Sequence, residues 1–246
     1  SPAYMLGKGM ESNQACASCH ENEVKNVAAH THHAPESRGS LCYNCHMPYT
    51  VYGLMGAVRT HYIDSPTTTA IAKDQRPNAC NLCHLDKPLG WTAKKLVGWY
   101  GQPEVPLTEA QETVAAAPSW LLTGDAVLRA VAAWHMGWAP AQQASATWWL
   151  PPYLSSLLDD DYSTVRWIAH KGLKSLPEYR DLRYGFLAKQ EDRRAAGSEV
   201  MRRWRQRPGP RLEMPTLLID GRGEIDWTRF TGLLSKRDNT VMTAME

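Results

Sequence analysis

All six cysteines of this 246-residue chain lie in copies of one pattern, Cys-x-x-Cys-His. The copies are Cys16-Ala-Ser-Cys19-His20, Cys42-Tyr-Asn-Cys45-His46 and Cys80-Asn-Leu-Cys83-His84. A chain of this composition would contain about 0.005 such matches by chance. Three copies that use every cysteine therefore indicate a common chemical purpose, and that purpose constrains how the first third of the chain folds.

The spacing within each copy suits covalent attachment of haem c. Two cysteines three positions apart lie on one helical turn, where both can form thioethers to the vinyl groups of one porphyrin. The next residue is then placed to bind the iron from the proximal side. The sequence predicts three attached haems c, with His20, His46 and His84 as proximal ligands.

Other uses of paired cysteines fit the pattern less well. Three disulfides would also consume six cysteines, but they would not require a histidine after each pair. Zinc binds Cys-x-x-Cys pairs, yet a third ligand directly adjacent fits tetrahedral spacing poorly. A thioredoxin-like redox motif needs a βαβ context, which this sequence does not have.

The composition of residues 1–90 supports a core built from cofactor. Leu, Ile, Val and Phe together number 12 in these 90 residues, a fraction below the roughly 20% that is usual for folded chains. Acidic and basic residues are balanced there, 7 against 7, so the segment is not a highly charged disordered tail. We expect three large, flat and mostly apolar haems to replace the missing aliphatic core.

Each iron needs a second axial ligand if it only carries electrons. The first half has four histidines outside the motifs: His30, His32, His33 and His61. His30 and His33 are spaced to share a helical face, and His61 lies between the second and third motifs. We predict His30, His33 and His61 as distal ligands, with His32 as a nearby polar residue or a substitute.

Two methionines and two later histidines are weaker candidates. Met5 and Met10 precede the first motif, and a methionine ligand would raise the haem potential. His135 and His170 lie in apolar helical patterns of the second half, which favours core or surface positions over iron ligation. The sequence does not assign a particular distal histidine to a particular haem.

Two segments resemble periplasmic multihaem cytochromes c that carry a C-terminal region of HEAT-type helical repeats. They are residues 30–48, HTHHAPESRGSLCYNCHMP, and residues 76–88, RPNACNLCHLDKP. The resemblance covers roughly residues 12–177 and implies low-potential, bis-histidine haems, with histidines at positions 30, 33 and 61 recurring near the motifs. Many members carry four or more haems, whereas this chain has three motifs. Some members have an open catalytic haem, but no motif here ends in Lys or lacks its His, so nitrite reduction is not carried over to this chain.

The second half, which contains all ten tryptophans, has a helical pattern. Glycines and prolines mark a junction at 91–106, between a haem-binding domain at 1–90 and a helical domain with a C-terminal tail at 107–246. Asp125, Ser163 and Asp226 are the predicted helix caps.

Aligning Arg129 with Arg166 reveals a 37-residue offset, close to the HEAT or armadillo period. The predicted fold is mainly α, a haem-packed segment with little regular structure followed by a HEAT-like domain; a generic helical bundle is the alternative.

Charge and hydropathy limit the partners. The net charge of +2 does not suggest a nucleic-acid-binding protein, and no apolar run reaches the length of a transmembrane helix. Seven arginines between positions 193 and 211 indicate a solvated helix face or a docking surface for an acidic partner. Because haem c is attached outside the cytoplasm, we expect a periplasmic or otherwise extracytoplasmic protein.

These features favour an electron carrier that serves as a relay subunit of a larger redox complex and docks a redox partner protein. The first alternative is a multihaem oxidoreductase that acts on a small nitrogen or sulfur compound at a haem with an open axial site. The second is a haem-bearing sensor or adaptor whose helical repeats are its main functional part.

Overall fold

The computed structural model describes residues 7, 10, 12–53, 55–73, 77–207 and 212–241. The predicted alternative ligand Met5 and the last arginine of the basic run, Arg211, lie outside these residues. The described chain is mainly helical, as the sequence predicted. No helix in these ranges is both long enough and apolar enough to cross a bilayer.

The first half is built from short helices and one hairpin. They are α1 (Gln14–Ala17), α2 (Glu21–Lys25), α3 (Val27–Thr31), α4 (Cys42–His46), β1 (Val51–Gly53), β2 (Gly56–Val58) and α5 (Thr68–Lys73), with a 3₁₀ turn at Arg38–Ser40. The two strands are antiparallel, and Val51 pairs with Val58. Helices of four to six residues are too short to be stable alone, so these depend on what packs around them.

Longer helices form the second half. They are α6 (Leu89–Tyr100), α7 (Glu109–Thr113), α8 (Ala116–Thr123), α9 (Ala126–Met136), α10 (Ala139–Ser145), α11 (Leu150–Ser156), α12 (Ser163–Lys174), α13 (Gln190–Arg205) and α14 (Trp227–Leu234), with 3₁₀ turns at Pro177–Tyr179 and Pro215–Leu217. Most of the predicted junction at 91–106 therefore lies in α6, and the residue that caps its end, Gly101, has a left-handed φ of 63°. Glycine adopts this conformation without strain.

The predicted caps are partly right. The Asp125 carboxylate accepts a hydrogen bond from the backbone N–H of Leu128 and so starts α9. Asp226 starts α14 in the same way. Ser163 was the wrong residue, because the cap of α12 is Tyr162 and Ser163 is already the first helical residue.

Helices α9 and α12 begin 37 residues apart, at Ala126 and Ser163, and they pack against each other. Arg129 and Arg166, the aligned arginines, are both buried. The offset and the packing agree with the aligned segments, while the HEAT-like arrangement as a whole stays a prediction.

The core lies mainly in the second half of the chain. One buried hydrophobic cluster extends along the sequence from Ile71 to Phe230 and includes Leu82 and Leu85 beside the third motif. Described residues before Ile71 contribute no buried member to it. The segment with the first two motifs thus sits on a helical core that it does not itself extend.

Candidate functional site

Each Cys-x-x-Cys-His motif forms one compact turn. In the first motif the carbonyl of Cys16 accepts hydrogen bonds from the backbone N–H groups of Cys19 and His20, at 3.2 and 2.9 Å. The third motif repeats this turn on the carbonyl of Cys80, at 3.2 and 2.8 Å. The second motif is the whole of α4. All three motifs therefore have the local geometry that brings two sulfurs and an imidazole to one place.

The sulfurs of the second and third motifs lie in surroundings that favour an uncharged form. Burial raises the pKa of Cys42 to about 11 and the pKa values of Cys80 and Cys83 to about 12. Burial also raises the pKa of Cys45. Such sites suit neutral sulfur, whether thiol or thioether, better than the thiolates that zinc binding or thiol–disulfide exchange requires. All six cysteines are free in the structure.

His46, the predicted proximal histidine of the second motif, lies near the ring of His30. Their ring centroids are 6.2 Å apart and their planes differ by 15°. Nδ1 of His46 lies 2.8 Å from the carbonyl oxygen of Asp64, so this nitrogen carries the proton and donates. The other nitrogen, Nε2, is left available to a metal, an arrangement typical of ligating histidines.

His84, the predicted proximal histidine of the third motif, lies near the ring of His33 in a similar way. These ring centroids are 6.0 Å apart, with planes 23° from parallel. Nδ1 of His33 donates to the carbonyl oxygen of Thr31 at 2.6 Å, which again leaves Nε2 available. The indole of Trp91 packs beside His84 at 5.0 Å.

The spacing of these pairs fits one metal ion between two imidazoles. A metal–nitrogen bond of about 2 Å plus about 1 Å to the ring centre, counted on both sides, gives about 6 Å. The rings of His32 and Trp99, which stack directly on each other, are closer, with centroids 4.0 Å apart. No group of three or more potential metal-ligating side chains occurs in the described part of the chain. Haem iron takes only two protein ligands, so a pair is the relevant unit.

The expectation that His30 and His33 share a helical face was wrong. Helix α3 ends at Thr31, and His32 caps it with a left-handed φ of 56°. This residue redirects the chain, so that His30 faces the second motif and His33 the third. His32 itself stacks on Trp99 and meets the edge of Tyr100.

His20 and His61 are not brought together. The exposed imidazole of His20 lies 4.0 Å from the Glu23 carboxylate, and His61 is exposed in the loop after β2. Across the described ranges, neither ring contacts another histidine ring. The weaker candidate Met10 is exposed. The structure therefore pairs two of the three predicted proximal histidines with predicted distal ones.

Arg59 was missed by the sequence reasoning. Its Nη1 donates to the carbonyls of Tyr43 and Met47 at 2.7 and 2.9 Å, and its Nη2 donates to Oδ1 of Asn44 at 2.6 Å. The guanidinium also lies over the ring of Tyr49, 4.0 Å from its centroid. Arg59 thereby stabilises the backbone of the second motif. The sequence reasoning missed this role because Arg59 is distant from the motif along the chain.

Residues of the helical half also reach the motifs. His135 of α9 is buried, as the core interpretation predicted, and its Nε2 donates to the carbonyl oxygen of Tyr49 at 2.9 Å. Ser145, at the end of α10, donates through Oγ to the carbonyl of Cys83 at 2.6 Å and accepts from the N–H of Leu85 at 2.8 Å.

The buried state of His135 predicts an acid-sensitive fold. Burial lowers the pKa of His135 from 6.5 to about 4. Because the unfolded chain takes up this proton first, the stabilisation is present above pH 6.5 and is lost as the pH falls through 4. We expect a fall of about 3 kcal/mol in the free energy of unfolding, measured by denaturant titration. A His135→Gln variant should lack this part of the pH dependence; an unchanged dependence would contradict the assignment.

The arginines of α13 are mostly paired within the chain. Arg193 and Arg194 bind the carboxylate of Asp159, and Arg202 and Arg203 bind that of Glu199. This pattern is that of a solvated helix face with internal ion pairs. It offers less free positive charge to an acidic partner than the sequence suggested.

Comparisons with models of protein families, with curated proteins and with solved structures find no match to this chain. Its function is therefore argued from its own residues and geometry.

Proposed function

We propose that this chain is an extracytoplasmic triheme cytochrome c that transfers electrons as a relay subunit of a larger redox complex. The observation that carries the proposal is the pair of histidine couples, His30 with His46 and His33 with His84, each spaced for one iron. Each couple joins a histidine of a Cys-x-x-Cys-His motif to one outside it. Disulfide or zinc use of the cysteines gives no reason for this pairing.

The residues have distinct roles in the proposal. The six motif cysteines hold three haems c covalently, and His20, His46 and His84 bind their irons. Haem c, when bound, supplies one-electron redox chemistry. At a haem whose second axial ligand is His30 or His33, no position on the iron would be open to a substrate. Such a haem suits electron transfer rather than catalysis.

The haem of the first motif leaves room for the second candidate function. With His30 and His33 near the other two motifs, His61 is the remaining candidate for the distal ligand of the iron that His20 would bind. The rings of His20 and His61 are not in contact, and His61 lies on an exposed loop. A haem with an exchangeable sixth ligand at this motif would support an oxidoreductase acting on a small nitrogen or sulfur compound. The alternative is confined to this haem, because the other two proximal histidines already face a partner.

Electron paramagnetic resonance of the oxidised holoprotein separates the two functions. The carrier predicts three low-spin ferric signals and no change on adding nitrite, hydroxylamine or cyanide. A high-spin signal that shifts with one of these ligands would favour the oxidoreductase. Two high-spin haems would contradict the assignment of His30 and His33.

Gly39 provides a sharp test of His33 as a ligand. A Cβ at Gly39 would overlap the imidazole of His33. We therefore expect Gly39→Ala to displace this ring and convert one of the low-spin haems to a high-spin or weakly ligated form, seen by electron paramagnetic resonance.

The matched control is Gly98→Ala in α6, where an added Cβ meets no atom within 4 Å. This change replaces a helical glycine and should stabilise the protein by about 0.5–1 kcal/mol without altering any haem signal. If Gly39→Ala keeps the wild-type spectrum, His33 is not an axial ligand.

The proposal also assigns a role to the helical half of the chain. In the expected HEAT-like arrangement it serves as a rigid support for the haems and a surface for the redox partner. Attachment of haem c places the mature protein outside the cytoplasm.

A further inference from the structure

Ser145 forms hydrogen bonds with the backbone on both sides of His84, a predicted proximal histidine. Its hydroxyl donates to the carbonyl of Cys83 and accepts from the N–H of Leu85, so His84 lies between two atoms held by one side chain. Ser145 comes from α10, about sixty residues further along the chain. Buried backbone groups of this kind need partners, and here a single hydroxyl supplies both.

Ser145 is itself held in place. The indole N–H of the buried Trp149 donates to the carbonyl oxygen of Ser145 at 2.8 Å. The following residue, Ala146, has a φ of 59°, which is uncommon for a residue with a Cβ. A non-glycine residue keeps such a conformation only where its surroundings impose it. The hydroxyl of Ser145 is therefore presented from a fixed backbone.

His135 makes the corresponding contact to the second motif. Its Nε2 donates to the carbonyl of Tyr49, three residues after His46. The ring is fixed edge-on by Trp134 and Trp138, at 5.0 and 5.3 Å. The ring of Tyr49 packs against the same two indoles, at 4.7 and 5.7 Å.

We propose that His135 and Ser145 are positioning residues that fix the second and third haem sites relative to each other through the helical half; this rests on the proposed function. Ser145 holds the backbone around His84, and His135 holds the segment that follows His46. Both side chains belong to the same helical core, so the two sites share one rigid support. The first motif has no such contact from these two residues.

The proposal predicts a selective change in haem properties. Ser145→Ala removes the hydroxyl and should shift the reduction potential of the third-motif haem. His135→Leu removes the donor to Tyr49 and should shift the second-motif haem. In both variants the first-motif haem should keep its potential, which makes it an internal reference.

Two further variants isolate the hydrogen bonds as the cause. His135→Gln retains a side-chain N–H donor and should lie closer to wild type than His135→Leu. Ser155→Ala is the control for Ser145→Ala, because the half-buried Ser155 hydroxyl donates to the carbonyl of Pro152 in its own helix and to no other group of the described chain. This control should leave all three potentials unchanged.

The experiment is a redox titration of the purified holoprotein and its variants, followed by electron paramagnetic resonance to assign each haem. Selective shifts of the second and third haems support the proposal. Unchanged potentials in Ser145→Ala and His135→Leu, or equal shifts of all three haems, overturn it even if the wild type carries three haems. A wild-type chain without haem would overturn the proposed function itself, so the two failures are distinct.

Discussion

Replacing all six motif cysteines by alanine is expected to leave residues 12–73 unfolded while helices α9, α11 and α12 stay folded. The first of these regions consists of helices of four to six residues, a 3₁₀ turn and one hairpin. Of its described residues, only Ile71 is a buried member of the hydrophobic cluster. Without haem it cannot bury enough apolar surface to offset the entropy of ordering its backbone. Hydrogen exchange measured by mass spectrometry should show unfolded-like rates in α1–α5 and protection in α9.

The control is the wild-type sequence produced where haem c is not attached and kept reduced. It should show the same loss of protection, because the cause is the missing haem and not the cysteine substitutions. The region around the third motif should lose less, since Leu82 and Leu85 belong to the helical core. Slow, cooperative exchange across residues 12–73 in the haem-free chain would contradict haem as the core of this region.

Asp160→Asn is expected to cost about 3–5 kcal/mol in the free energy of unfolding, the largest effect we predict for a single substitution in the helical half. The buried Asp160 carboxylate accepts hydrogen bonds from Nε and Nη2 of Arg129 at 2.8 and 3.1 Å. Nη1 of Arg237 lies 3.3 Å from the same carboxylate. Removing the negative charge leaves the two guanidinium groups without this counter-charge, and the Arg129 side chain is fully buried. Denaturant unfolding of the holoprotein measures the loss.

The neighbouring residue is the natural control. Asp159 also pairs with two arginines, Arg193 and Arg194, but the Asp159 side chain is 23% exposed and the Arg194 side chain 67% exposed. Solvent screens such pairs, so Asp159→Asn should cost less than about 1 kcal/mol. Similar costs for Asp159→Asn and Asp160→Asn would show that burial does not govern the strength of these ion pairs.

The sequence predicted those parts of the fold that depend on local chemistry. A helix cap such as Asp125 is encoded by a polar residue before an apolar helical pattern, and it was found. The cap of α12 was misplaced by one residue because Ser163 has the chemistry of a cap, whereas the actual cap, Tyr162, makes no side-chain capping bond.

Contacts between distant segments were not predictable in the same way. His30 and His33 were expected on one helical face because their spacing allows it, and nothing in the spacing shows that His32 adopts a left-handed conformation. Arg59 and Ser145 act mainly through backbone carbonyls and N–H groups, which nearly every residue has. Their partners therefore leave no pattern of residue types in the sequence.

The most direct test of the central claim is the haem content of the chain after export in a bacterium that attaches haem c. Mass spectrometry of the denatured protein should give the polypeptide mass plus three haems, with no cysteine open to alkylation. The haems should stay with the chain in denaturant and organic solvent, because thioethers are covalent. A protein with the polypeptide mass alone, with its cysteines free, in disulfides or bound to zinc, would contradict the account.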